Sequence, residues 1–189
     1  RLGMNKAALP VILGTVPPQH MYGFETTVLL ALQTGAAFCA ERPFYPADVA
    51  AAVSAAPHPR WLVTTPIHLR ALLQSGVTLP SADLVVCATA YLSESLAKQA
   101  EGCFQSPLME IYGSTETGQI ATRRPSAEVR WQLWPGVRLE LEGEQAFASG
   151  GHLEARMPLN DILELLPEDR FLLHGRSADL VNIAGKRSS

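Results

Sequence analysis

From residue 10 to 112, short continuous apolar runs alternate with stretches whose apolar residues recur at helical spacing, the pattern of parallel βα units. Val11 to Val16 reads as a strand closed by Pro17-Pro18, and Glu25 to Gln33 as a helix with Val28, Leu29 and Leu32 on one face and Gly35 as its stop. Ala36 to Ala40 is the next short strand. Pro46 opens a helix to about Ala56, since a missing N–H costs nothing at the first helical position, and Pro57-His58-Pro59 ends it. Trp61 to Thr65 is predicted as a strand, and the helix opened by Pro66 turns Leu69, Leu72 and Leu73 toward the core. Leu84 to Ala88 reads as a strand buried on both faces, Ser93 as the N-cap of a helix reaching about Phe104, and Leu108 to Tyr112 as the last strand of this half.

After Gly118 the texture changes to short alternating segments: Gln119 to Arg123, Val137 to Leu141, His152 to Met157, Ile162 to Leu165 and Arg170 to Leu173. Glu142-Gly143-Glu144 and Ser149-Gly150-Gly151 serve as turns, which predicts a compact antiparallel β unit. The fold class expected is therefore α/β, a parallel-sheet βα subdomain over 1–122 followed by a small antiparallel β-barrel-like subdomain over 123–174.

Composition narrows the function classes. With 189 residues, 47% of them hydrophobic, the chain can bury a proper core. A net charge of -3 and scattered Lys and Arg give no basic field for nucleic acid, and no run approaches the ~20 apolar residues of a membrane span. Without a signal-peptide pattern the expected compartment is the cytoplasm. Cys39, Cys87 and Cys103 are an odd set without CxxC spacing, which points away from a disulfide framework or a zinc site; Cys39 and Cys87 read as small buried hydrophobes. The ends, an opening without an initiator Met and a stop at Ser188-Ser189, are those expected of a piece of a longer protein.

In open α/β sheets ligands sit beyond the carboxyl ends of the strands, where helix N-termini and loops converge. Three loops are expected there: Pro17 to Gly23, Thr89 to Ser93, and Tyr112 to Gly118. The last offers hydroxyls for phosphate oxygens, one carboxylate as a hard oxygen ligand for magnesium, and glycines that admit a ligand to the backbone. A polar turn of this kind is equally an ordinary connector. Asn160-Asp161 and Arg176 with Asp179 are the polar positions of note in the second half, where a turn cap and a solvated pair would also account for them.

Taken in order, these constellations resemble the adenylate-forming superfamily, which includes acyl-CoA synthetases, aryl-CoA ligases and the adenylation domains of peptide synthetases. Tyr112-Gly113-Ser114-Thr115-Glu116 is similar to its Tyr-Gly-x-Thr-Glu motif, and Asn160-Asp161 to a Thr-Gly-Asp step reduced to Asn-Asp. Gly175-Arg176 through Gly185-Lys186-Arg187 resembles its hinge segment, here 175–189, leading toward a further domain. The resemblance implies activation of a carboxylic acid by ATP and Mg2+ to an acyl-adenylate, with transfer to the thiol of coenzyme A or of the phosphopantetheine arm of an acyl carrier protein. It implies that Thr115 meets the α-phosphate, Glu116 ligates magnesium and Tyr112 lies against adenine beside Ala88, Thr89 and Ala90. Gly113 and Ser114 would line the nucleotide and acyl pockets, Asp161 would hold the ribose, Arg176 would reach ribose or phosphate, and His20 would stand at the acyl pocket.

Two departures accompany the match. Tyr91 replaces a usual proline, and Ala178 stands where Asp or Lys is usual in the hinge, with Asp179 one further on. The family's phosphate loop would precede residue 1 and its catalytic lysine would follow residue 189, so the chain alone is expected to be inactive. Two other readings stay open: a degenerate nucleotide-binding or interaction module of the same fold without turnover, and an unrelated α/β binding domain.

Overall fold

The structure, a computed structural model, describes residues 9–176, 181–183 and 186–188. These fall into two compact units: the first runs to Gln119 and also takes Arg124–Ala127, while the second holds Ile120–Arg123 and the chain from Glu128 onward.

The first unit is built on parallel strands: β1 (Val11–Gly14), β2 (Ala37–Phe38), β3 (Arg60–Thr64), β4 (Leu84–Cys87) and β5 (Leu108–Ser114). They lie in the order β5-β4-β3-β1-β2, with β3 and β4 in register through Thr64 and Cys87, and β4 and β5 through Cys87 and Glu110. The crossover from β1 to β2 runs through a short α1 (Met21–Gly23), a π-helical segment (Phe24–Leu29) and α2 (Leu30–Thr34), which Gly35 ends in the left-handed conformation. The later crossovers are α3 (Pro46–Ala55), α4 (Pro66–Gln74) and α5 (Glu94–Phe104).

Packing divides these helices between the two faces of the sheet. Val49, Val53, Leu69, Leu72, Ala97, Ala100 and Phe104 from α3, α4 and α5 cover Leu13, Leu62, Val85 and Leu108. Tyr22, Leu30 and Ala31 cover Ile12, Val63 and Val86 on the other face. Both faces of β3 and β4 are thus buried, which is why those strands read as unbroken apolar runs rather than alternating ones. The caps are local: Thr65 accepts from the His68 amide at the start of α4 and Ser93 from the Leu96 amide at the start of α5. At the other end of α3, the buried Arg60 guanidinium donates to the carbonyls of Val53 (2.6 Å) and Ala56 (3.0 Å), satisfying carbonyls that the helix leaves without partners.

The second unit is antiparallel. β6 (Gly118–Arg123), β7 (Trp131–Leu133), β12 (Arg170–Arg176) and β11 (Asp161–Leu166) pair in that order, and β8 (Val137–Glu142), β9 (Gln145–Gly150) and β10 (Met157–Leu159) form a separate sheet. β13 (Val181–Ile183) and β14 (Lys186–Ser188) form a third, two-stranded piece. Trp131 and Phe171 stack at 6.2 Å between ring centres, with the Arg123 guanidinium 4.5 Å from the Trp131 ring.

The α/β class and the antiparallel second part are as the sequence predicts, but several boundaries differ. The helix expected from Glu25 begins at Met21 and carries a π segment, in which the Thr26 and Thr27 hydroxyls donate to the carbonyls of Tyr22 and Gly23, bonds that side-chain periodicity does not encode. The expected strand at His152 to Met157 is a turn followed by β10, because Gly150 and Gly151 both take positive φ and reverse the chain there. β9, with only alanines Ala146 and Ala148 as its fully buried positions, and the short β7 have no apolar run to announce them. The last strand of the first half does not stop at Tyr112 but continues through Gly113 and Ser114.

Candidate nucleotide and acyl site

Three chain reversals stand at the carboxyl ends of β1, β4 and β5. The first, residues 15–20, is fixed at both ends. Thr15 donates its amide to the Val63 carbonyl (2.9 Å), and the buried Tyr22 hydroxyl lies 3.0 Å from the carbonyls of both Thr64 and Val86. Burial, with the neighbouring Cys87 and then Glu110 adding to it, pushes the Tyr22 phenol well above its usual range, so it stays a neutral donor. Gly23 closes the reversal: a Cβ there would lie 2.1 Å from the Pro17 carbonyl oxygen, so no larger residue fits. His20, the residue expected at the acyl pocket, is exposed at the N-cap of α1 and makes no side-chain capping bond.

The reversal after β4 carries Ala88, Thr89 and Ala90. Thr89 holds φ at 85°, a left-handed conformation that a β-branched residue adopts only when its surroundings impose it. Ala88 is buried, whereas Thr89, Ala90 and Tyr91 are exposed, Tyr91 at 81%.

The third reversal is a turn of residues 115–117 between β5 and β6. Its two threonines have different jobs. Thr117 is buried: its hydroxyl accepts from the Ser114 amide (3.0 Å) and donates to the Gly118 carbonyl (2.9 Å), while its amide reaches the Ser114 hydroxyl (3.3 Å). Thr115 and Glu116 are exposed at the apex. A hydrogen bond from the Ser114 hydroxyl, and then one from its own amide, hold the Glu116 carboxyl below the usual range, so it is ionised at neutral pH. Gly113 is obligatory, since a Cβ would sit 2.0 Å from the Gly118 oxygen. Tyr112 and Ser114 are half-buried on the same strand end. The turn therefore presents a hydroxyl and a carboxylate outward while a second threonine holds it from within.

In the second unit Asp161 and Arg176 are direct cross-strand partners on β11 and β12. Asp161 is half-buried and Asn160 exposed. The sequence order alone gave no sign that these residues, fifteen positions apart, face one another; the hairpin at Glu168 and Asp169, both at positive φ, brings them together. Ala178 and Asp179 lie outside the described residues, and Lys186 and Arg187 fall on β14. No sequence motif marks Tyr22, the threonines at the ends of β1 and β3, or the holding role of Thr117. Polar residues immediately following strands that otherwise read as apolar were the available signal.

Comparison with known proteins gives the family. The profile of the AMP-binding enzyme family matches residues 3–144. The chain belongs to the AMP-binding enzyme family. Among its relatives, a 4-chlorobenzoate–CoA ligase from Arthrobacter sp is 33% identical over 135 residues, 69% of this chain and 26% of that protein. A 4-coumarate–CoA ligase from Rhodobacter capsulatus is 28% identical over 183 residues, 97% of this chain and 45% of that protein. Among solved structures, a benzoate CoA ligase from Burkholderia xenovorans LB400 superposes with a TM-score of 0.78 at 19% identity, over 95% of this chain and 44% of that one. ATP-bound MatB from Rhodopseudomonas palustris gives 0.79 at 16% identity, over 95% and 42%. The chain thus spans less than half the length of these relatives.

The outward groups of the turn are a hydroxyl, from Thr115, and a carboxylate, from Glu116. Glu116 is an exposed, ionised carboxylate beside the Ser114 hydroxyl. That donor set suits Mg2+, which takes one or two carboxylates and fills its remaining positions with water and phosphate oxygens.

Proposed function

We propose that the full-length protein is an ATP-dependent carboxylic acid–CoA ligase that works through an acyl-adenylate. A carboxylate oxygen of the acid attacks the α-phosphorus of ATP, the bond to the β-phosphate oxygen breaks, and pyrophosphate leaves. The thiolate of coenzyme A then adds to the acyl carbon and AMP departs. Charge in the first step resides on phosphate oxygens, and in the second on the acyl oxygen and the departing phosphate, so fixed donors supply most of the protein's contribution. Thr115 donates to the α-phosphate, Glu116 holds Mg2+, which would offset phosphate charge, and Tyr112 with Ala88, Thr89 and Ala90 forms the adenine wall. Gly113 and Ser114 line the junction of nucleotide and acyl pockets, Asp161 takes the ribose hydroxyls, Arg176 reaches ribose or phosphate, and His20 borders the acid.

The observation that supports this most is the turn at 115–117, locked from inside by Thr117 so that Thr115 and Glu116 are the groups left outside, in a chain of the AMP-binding family. The names of the relatives make aromatic acids the first substrates to try. The test is acid-dependent exchange of labelled pyrophosphate into ATP by the full-length protein across benzoates, cinnamates and short fatty acids, followed by thioester formation with coenzyme A or a carrier protein. Exchange with an acid and thioester only on the carrier would move the acceptor; failure of every acid to support exchange would defeat the proposal. A second reading, nucleotide binding without turnover, has the exposed Tyr91 at a usual proline position in its favour and predicts ATP binding with no exchange.

A further inference from the structure

The strand order β5-β4-β3-β1-β2 reverses direction at β1: the chain first moves outward to β2 and then back across β1 to β3. The connections leaving β1 and β3 consequently go to opposite faces of the sheet, one into the helix that carries Tyr22 and the other into α4. Between such strands a crevice opens at the carboxyl edge, and in open α/β sheets this is where ligands bind.

In this protein a polar chain of side chains bridges β1 and β3 at that switch. Thr15, the first residue beyond β1, lies with its hydroxyl 2.9 Å from the Thr64 hydroxyl at the end of β3 and 3.1 Å from His68 Nδ1 in the first turn of α4. The Thr65 hydroxyl is 3.3 Å from the same nitrogen. Thr15 is 2% exposed and Thr64 fully buried. Two hydroxyls at that depth cost stability unless bonded, and valine would fill either place without that requirement. The Phe44 ring stands edge-on to the imidazole, 5.5 Å between centres. Burial, and then the nearby Arg42 charge, lower the His68 pKa, so at neutral pH the ring is uncharged and Nδ1 can accept a hydrogen bond from a hydroxyl. Thr15 is also the point from which the His20 reversal departs, and the opposite end of that reversal is held by Tyr22 on the carbonyl of the same Thr64.

We propose that Thr15, Thr64 and His68 form a positioning unit at the switch between β1 and β3 that sets the His20 reversal, and through it the binding of the carboxylic acid rather than of the nucleotide. His68 acts through Thr15 and is a positioning residue. This rests on the ligase reading above. If the unit holds only the acid side of the site, loosening it weakens acid binding and leaves ATP binding intact, because the turn at 115–117 is held by its own Ser114–Thr117 bonds.

The experiment uses the full-length protein with Thr15→Val, His68→Leu and His68→Asn. The asparagine oxygen sits at the reach of Nδ1 and can still accept from Thr15. Thr15→Val and His68→Leu are expected to raise KM for the acid about tenfold, the loss of one hydrogen bond, with KM for ATP unchanged, and His68→Asn to restore the acid KM. Amide hydrogen exchange over residues 15–20 is expected to quicken in Thr15→Val. Parallel rises in both KM values, no rise in either, a His68→Asn variant as impaired as His68→Leu, or unaltered exchange at 15–20 would overturn the proposal while leaving the ligase reading standing. Absence of acid-dependent exchange in the wild type would remove both.

Discussion

Replacing Thr117 by valine removes the hydroxyl that organises the 115–117 turn while keeping the side chain's volume. The loss can be worked from the contacts. The buried hydroxyl accepts from the Ser114 amide and donates to the Gly118 carbonyl, and it lies 3.2 Å from the Ser114 hydroxyl. A neutral hydrogen bond contributes about 1 kcal/mol net, and a buried partner left unsatisfied costs about 1–3 kcal/mol, so Thr117→Val should lower stability by about 2–4 kcal/mol. Thr115→Val, at the exposed apex, should change stability by no more than about 0.5 kcal/mol. If Thr115 meets the α-phosphate, the ranking reverses in catalysis: Thr115→Val folds like the wild type but loses exchange activity by about 10- to 100-fold, the worth of a charge-assisted hydrogen bond of about 1.5–3 kcal/mol. Urea unfolding followed by circular dichroism, beside pyrophosphate exchange in the full-length protein, reads both. A Thr117→Val variant as stable as the wild type, or a Thr115→Val variant destabilised as much as Thr117→Val, would refute the division of labour between the two threonines.

Tyr22→Phe leaves the Thr64 and Val86 carbonyls without their phenolic donor and should lower the unfolding free energy by about 1–3 kcal/mol, measurable as a lower urea midpoint at unchanged slope. Gly113→Ala forces a Cβ to within 2.0 Å of the Gly118 oxygen, so the strand end must shift; activity should be abolished and a fall in thermal midpoint should accompany it, whereas Gly102→Ala, where nothing lies within 4 Å, should be tolerated. Glu101 gives a pH signature. Burial, the largest single influence, raises its pKa, but hydrogen bonds, those of the Arg124 guanidinium and the Leu108 amide foremost, outweigh it and the carboxyl ends below its usual range. A group depressed on folding contributes stability above its unfolded pKa and loses it as pH falls through the folded value. Wild-type stability should therefore drop on acidification below the ordinary glutamate range, and Arg124→Ala, which removes guanidinium bonds at 2.8 and 3.1 Å, should flatten that drop; an unchanged profile would contradict it.

What could be read from the sequence follows from where side-chain pattern and backbone geometry coincide. β3 and β4 are buried on both faces, so their apolar runs announced them, and Pro46, Pro66 and Ser93 marked helix starts because each acts within its own turn. The AMP-binding resemblance was legible because the Tyr112 to Glu116 residues are contiguous. The cross-strand meeting of Asp161 with Arg176 was not, since it depends on hairpin register, nor was the Thr15–Thr64–His68 chain, whose members lie up to 53 positions apart. The π segment was invisible because threonine hydroxyls bonded to backbone carbonyls carry no periodic signal. After Tyr112 the polar letters read as a loop, whereas the strand carries the backbone through Ser114 before it turns.

The most direct test of the account is pyrophosphate exchange by the full-length protein carrying Glu116→Gln, measured over a Mg2+ titration with an acid that the wild type accepts. Glu116 is exposed and supports no part of the core, so the variant should keep the wild-type unfolding curve. The account predicts that exchange falls and that half-maximal activity moves to higher Mg2+. Full exchange at the wild-type Mg2+ dependence would contradict it and take Glu116, and with it the outward face of the turn, out of the site.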